Sequence, residues 1–333
     1  MKTLTLRISF CLAVLFCFAV QAQAGFQTQT SPAAAPTFRT GPGEPVPYGI
    51  GPSYNLPGSL LVWPYYVSST TTPTIDTRIN LINFSDQRAA FVHLFFIDGV
   101  SCSVADRFIC LTANQRTSFS IRDEDPGIRG FLVAVTVDFN GCPQQGLVYG
   151  DAFIRNGEQV GAYQATHFGQ LRPVLCDPNA SFVQLNLDGL DYSKAFGTVI
   201  LPTLLNPAQG TTTAVLVRVG GDLHSTIGPI GTLFGILYND VEEAISYTLN
   251  GGCQYIFNFG QPDPRTVPRF PTFISPGTTG WTKLWSVSAP QRGLAGIFLI
   301  TAAANENTRA GYAIPAGSLV NTSYILPVFP PSC

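Results

Sequence analysis

Charge is what this sequence has least of. Of 333 residues, 18 are Lys or Arg and 20 are Asp or Glu. That is 11% charged, against roughly 25% in ordinary soluble domains. The formal net charge is −2. No basic patch is dense enough to neutralise several phosphates, which argues against a nucleic-acid partner, and no polybasic segment would hold the chain on an anionic membrane. Only Lys2, Lys194 and Lys283 are lysines. Lysine commonly blocks exposed sheet edges, so its scarcity suits a chain that packs against copies of itself or a surface layer. Histidines number three, at 93, 167 and 224, and none pairs with another at metal-ligand spacing. There is no G-x-S-x-G elbow and no Walker or dinucleotide glycine pattern. No cofactor, metal or catalytic set is therefore expected, and the chain reads as a non-enzyme.

Glycine and proline, by contrast, are plentiful, with 32 and 26 residues. With Thr and Ser supplying much of the polarity, this argues for strands and turns over long helices. At the N-terminus, Lys2 and Arg7 precede an apolar run over residues 8–20, followed by Ala22-Gln23-Ala24. This is the pattern of a cleaved signal peptide over residues 1–24, with Gly25 as the first mature residue. The run is shorter than the roughly 20 residues of a membrane span, and no later run is long enough, so the expected location is secreted or periplasmic. Processing leaves Cys102, Cys110, Cys142, Cys176, Cys253 and Cys333, which in an exported chain read as disulfides. SCSVADRFIC resembles two strand ends and suggests Cys102–Cys110 as a hairpin staple. Proximity in sequence then suggests Cys142–Cys176 and Cys253–Cys333.

Residues 25–58 hold seven prolines and six glycines and read as a disordered arm. Strands begin at LLVWPYY, whose Pro64 calls for an edge or a bulge. RINLINF, FVHLFFID and FLVAVTVDF follow. In FLVAVTVDF one face (Phe131, Val133, Val135, Val137) is apolar, and the other fades to polar as in a strand with one buried side. The order recurs later: GTVILPTLL matches GSLLVWPYY, AVLVRV matches RINLINF, TLFGILYND matches FVHLFFIDG, and GLAGIFLITA matches GFLVAVTVD. Aligning Asp98 with Asp240 places Val92, Leu94 and Phe96 opposite Phe234, Ile236 and Tyr238 as the core-facing set. The expectation is an all-β chain with two tandem β-sandwich domains of Ig-like or jelly-roll-like type, over residues 59–175 and 176–333.

HLFFIDG, CSVAD, CLTANQ, DPG and GFLVAV, with RVGGDL, GILYND, GGCQ and RTVPRFPTFISPGTTGW, resemble a group of exported bacterial proteins. The resemblance runs from about Ser59 to Phe329 and implies export and a tandem β-architecture. It implies no activity and carries over no site residues.

Candidate binding residues come from the aromatics. In WTKLW, Trp281 and Trp285 share a strand face with Lys283 between them, and flat rings of this kind can stack on sugars. Trp63, beside Tyr65 and Tyr66, admits the same reading, with core packing as the ordinary role of tryptophan. His93 reads as a packed histidine, and His167 and His224 as loop residues free to titrate. The acids at 123–125 and 239–243 lack the alternate spacing of a calcium loop and read as solvated turns. The leading functional expectation is a non-catalytic protein of the cell envelope or extracellular matrix that binds or assembles, with itself, envelope components or glycans as partners. A carbohydrate-binding sandwich and an unrecognised secreted hydrolase are the alternatives.

Overall fold

Alternating apolar residues and frequent turn residues put nearly all of the regular structure into antiparallel sheets. The computed structural model describes residues 38–40, 44–46, 51–157, 159–259, 266–288, 292–302, 308–316 and 318–332. The signal segment and Cys333 lie outside the described residues.

A hairpin of β1 (Phe38–Thr40) and β2 (Glu44–Val46) comes first. Next are β3 (Leu60–Val67), β4 (Ile75–Asn83), β5 (Ala90–Asp98), β6 (Val104–Leu111) and β7 (Arg116–Ser120). One helical turn, α1 (Ile121–Glu124), leads to β8 (Arg129–Val137), β9 (Val148–Asn156), β10 (Gln159–Gln164) and β11 (Thr166–Phe168). After β12 (Phe182–Leu187) and β13 (Ala195–Phe196) come β14 (Thr198–Leu205), β15 (Gly210–Val219), β16 (Gly221–Asp222), β17 (Gly231–Tyr238), β18 (Ala244–Gly251) and β19 (Gln254–Asn258). A second turn, α2 (Phe270–Phe273), precedes β20 (Thr279–Ser286), β21 (Gly293–Ala302), β22 (Thr308–Tyr312), β23 (Ile314–Pro315), β24 (Leu319–Val320) and β25 (Thr322–Pro327).

One strand path is drawn twice. The order β11-β3-β8-β5-β6 is matched by β23-β14-β20-β17-β18, and β10-β9-β4-β7 by β22-β21-β15-β19. The helical turns fall at the same place, before β8 and before β20. Strands β3 and β14 each carry a register shift, between Trp63 and Tyr66 around Pro64 and between Leu201 and Leu204 around Pro202. A bulge leaves the proline's missing N–H outside the ladder. The expected repeat is thus present in the topology with one correction. GLAGIFLITA, in β21, takes the place of β9, and the counterpart of β8 is β20, the strand of WTKLW.

A second correction concerns facing. In the first half Val92, Leu94 and Phe96 do point into the sandwich, packed with Trp63, Ile79, Leu81 and Leu132. In β17, however, Leu233 and Leu237 join the core while Phe234, Ile236 and Tyr238 stay half-buried. Because side chains alternate along a strand, an alignment wrong by one residue exchanges the two faces.

The outer face of the first half is not solvated either. β12, β25 and β16 form a three-stranded sheet, and Val183, Leu185, Leu187, Tyr324 and Leu326 pack with Phe95, Phe131, Val133 and Val135. β8 is therefore buried on both faces from Gly130 to Val137, and the expected polar side of that strand is absent. Each large apolar side chain so covered contributes roughly 1.5–3 kcal/mol. The same cluster takes in Val217, Val219 and Ala295 of the second half, so the two halves share a core.

Covalent and polar links run the same way. Cys102 is bonded to Cys253, which corrects both Cys102–Cys110 and Cys253–Cys333. Cys102 sits in the β5–β6 turn at a φ of 62°, aimed across the molecule instead of along its hairpin. Cys142–Cys176 forms as expected, and Cys110 is disulfide-bonded. The Gln254 side chain donates to the carbonyls of Pro64 at 2.9 Å and Gly130 at 2.8 Å. The end of the Pro/Gly-rich stretch is packed as well. Ser53 bridges to His167, and Tyr54 stacks on Tyr312 at 4.0 Å while its hydroxyl donates to the Ala313 carbonyl.

Candidate functional site

Tandem topology gives the second half the same outer face that β12, β25 and β16 cover in the first. Among the described residues no sheet lies over it. Antiparallel register places Tyr238 opposite Trp281, Ile236 opposite Lys283 and Phe234 opposite Trp285. On the other side of β20, Ile200 faces Lys283 and Thr198 faces Trp285. Cross-strand neighbours of this kind are about 5 Å apart, so the rings form a continuous patch. Tyr238 and Trp281 stack with centroids at 4.2 Å and planes 11° apart, and Phe234 meets Trp285 at 5.0 Å. Lys283 Nζ lies 5.6 Å from the centre of the Trp285 ring, a cation–π placement. None of Phe234, Ile236, Tyr238, Trp281 or Trp285 belongs to a core cluster, and all five are half-buried. The two indoles, four residues apart on one strand, stand about 13 Å apart along it.

Trp281, Lys283 and Trp285 therefore do share a face. Trp63 does not join them. It is fully buried between the sheets of the first half, over Gly150, where a Cβ would come within 2.1 Å of its ring. Tyr65 and Tyr66 are buried beside it. Phe234 and Tyr238 were missed as surface residues because the alignment put them inside. The signal that marks them outward is the glycine at 235, a gap filled on the core side by the Tyr247 ring.

The histidines form no nucleophilic set among the described residues. His93 is 1% exposed, bonded through Nε2 to Asp106 Oδ2 at 2.8 Å and stacked on Phe108 at 4.0 Å. Burial lowers its pKa against the opposing pull of Asp106. His224 packs its ring on Phe182, while Asp222 is occupied by the His224 N–H and the Ser225 hydroxyl. The Asp222 carboxylate thus closes a turn on the His224 backbone N–H and the Ser225 hydroxyl, and that serine is bonded to Asp222. The acidic turns are likewise structural: Glu124 pairs with Arg107, Asp125 accepts from the Tyr66 hydroxyl, and Glu243 accepts from Asn239.

His167, expected in a loop, lies in β11 and is 1% exposed. Its Nε2 accepts the Gly150 N–H at 3.0 Å, so Nδ1 carries the proton and donates to the Ser53 carbonyl at 3.2 Å. Desolvation lowers its pKa to about 4. The fold favours the neutral ring, so this stabilisation is complete above the unfolded value near 6.5 and is lost as pH falls from there to about 4. The full loss is about 3 kcal/mol. In urea unfolding, His167→Gln is expected to flatten the decline in stability between pH 7 and pH 4. A variant with the wild-type decline would count against this role.

Compared with known proteins, the chain matches no protein-family model and no curated protein.

Proposed function

We propose that this chain is an exported, non-catalytic binding protein of the cell envelope or extracellular matrix, and that it takes a glycan on the outer face of β17 and β20. The observation that carries this reading is the contrast between equivalent faces. The same sheet surface is covered by a third sheet in the first half. In the second it holds two tryptophans, a tyrosine and a phenylalanine, half-buried and outside any core cluster, around a buried lysine. Flat rings at fixed spacing on a rigid sheet suit the apolar faces of sugar rings, and rigidity limits the entropy lost on binding. Export is supported by the signal-like N-terminus and by disulfides, which persist in oxidising compartments. A non-catalytic role is supported by the structural use of the histidines and acidic turns described above.

Glycan-array binding by the full chain, followed by calorimetry on the glycans retained, tests the proposal. Trp281→Ala and Trp285→Ala are each expected to weaken binding at least tenfold, with Trp281→Phe losing less because a ring remains. Binding unchanged in both alanine variants would remove the proposal. Light scattering on the same samples separates the other occupant of such a face: a dimer that Trp281→Ala dissociates would mean the patch pairs with a second copy.

A further inference from the structure

A separate cleft lies at the end of β15, lined by residues of β16 and β25 and by none of the aromatic face. Arg218, the penultimate residue of β15, reaches into it. Arg292, immediately before β21, reaches it from the neighbouring strand, since Gly293 pairs with Val219. The cleft has a volume of about 390 Å³, and its walls include Asn321, Thr322 and Ser323 at the start of β25. Space for the Arg218 guanidinium is made by Gly228, where a Cβ would sit 2.4 Å from Nη1.

Two guanidiniums share this cleft without a direct ion pair. Among the described residues neither makes an ion pair, and both Nε atoms are shut off from water with no hydrogen-bond acceptor. One carboxylate, Asp222, also lines the cleft; its oxygens accept the His224 backbone N–H and the Ser225 hydroxyl, each at 2.8 Å, and it forms no ion pair with either arginine. Arg218 is held below its usual pKa by burial and by the charge of Arg292. Like charges brought together while partly desolvated destabilise the fold, and buried donors without acceptors add to that cost. In a chain with only 18 Lys and Arg residues, spending two of them this way needs a compensating partner.

We propose that this cleft binds an oxyanion, the sulfate, phosphate or carboxylate group of an acidic ligand, between Arg218 and Arg292. The planar fork of a guanidinium offers parallel N–H donors that fit two oxygens of such a group. Thr322, Ser323 and Asn321 supply hydroxyl and amide groups at the rim, suited to a ligand that carries hydroxyls beside its anionic group. The site stands apart from the aromatic face, and either can fail without the other.

Isothermal titration of the full chain with sodium sulfate, sodium phosphate and sodium glucuronate, in a chloride background, tests this. At least one should bind saturably with one site per chain and weaken as salt is raised. Sulfate and phosphate without glucuronate would identify a tetrahedral group, and the reverse a carboxylate. Arg218→Gln and Arg292→Gln should each raise Kd at least tenfold, and Arg218→Lys by less because charge is kept. Should the glutamine variants not fold, Asn321→Asp, a change at an exposed position, should raise Kd tenfold by adding a negative charge to the rim. No saturable binding of any of the three anions, or binding unchanged in the folded variants, overturns the proposal.

Discussion

Replacing Cys102 and Cys253 together by alanine is expected to lower the unfolding free energy by about 4–5 kcal/mol. The bridge spans 151 residues, and closing a loop of that length in the unfolded chain removes about that much conformational freedom. The bridge from Cys142 to Cys176 spans 34 residues, and its removal should cost about 4 kcal/mol on the same basis. The longer bridge joins the β5–β6 turn of the first half to the start of β19 in the second. Beside it, Thr226 donates to the Cys102 carbonyl at 2.9 Å, and Cys253 packs in the core cluster that both halves share. Its loss should therefore loosen the junction as well as the unfolded-state constraint. Urea unfolding gives the magnitude, and peptide mapping without reduction gives the pairing. A map joining Cys102 to Cys110, or a double variant with the wild-type midpoint, would refute this account.

Trp63→Ala is the second large effect, a loss of about 3–5 kcal/mol from an emptied core site. The indole is fully buried between two sheets, in contact with the strands on both sides, and the cavity cannot collapse because those sheets are fixed by their ladders. Gly150→Ala should destabilise for the opposite reason, by forcing a methyl group into the same ring. Trp281→Ala, on the half-buried outer face, should change stability by less than about 1 kcal/mol. Thermal unfolding of the three variants side by side separates a core tryptophan from a surface one. If Trp63→Ala and Trp281→Ala melt together, the assignment of their roles is wrong.

The difference between these tryptophans marks how far the residues could be read before the fold was known. WTKLW places two rings on one side of any strand, because alternation is a property of the backbone. LLVWPYY does not say which side of its strand is covered, because every residue in it is apolar. Here the bulge at Pro64 resets the alternation, and sheets above and below cover both faces. In β17 the glycine at 235 and the bulky residues around it gave a readable pattern. The parity failed because the loop after the strand differs by one residue from that after β5, and one residue is enough to turn a strand over.

Composition and local pattern determined that the chain is β-structured, that its strand order recurs and that Pro64 interrupts its strand's ladder; Cys142–Cys176 followed from proximity in sequence, a ground that failed for Cys253. Each of these depends on residues close together in the chain. Tertiary structure alone decided that Cys102 reaches Cys253, that β12 and the chain's end cover one outer face and leave its counterpart aromatic, and that Arg218 and Arg292 meet in one cleft. Those outcomes depend on contacts between residues more than 40 positions apart, where a side chain's identity constrains its partner only after the sheets have packed.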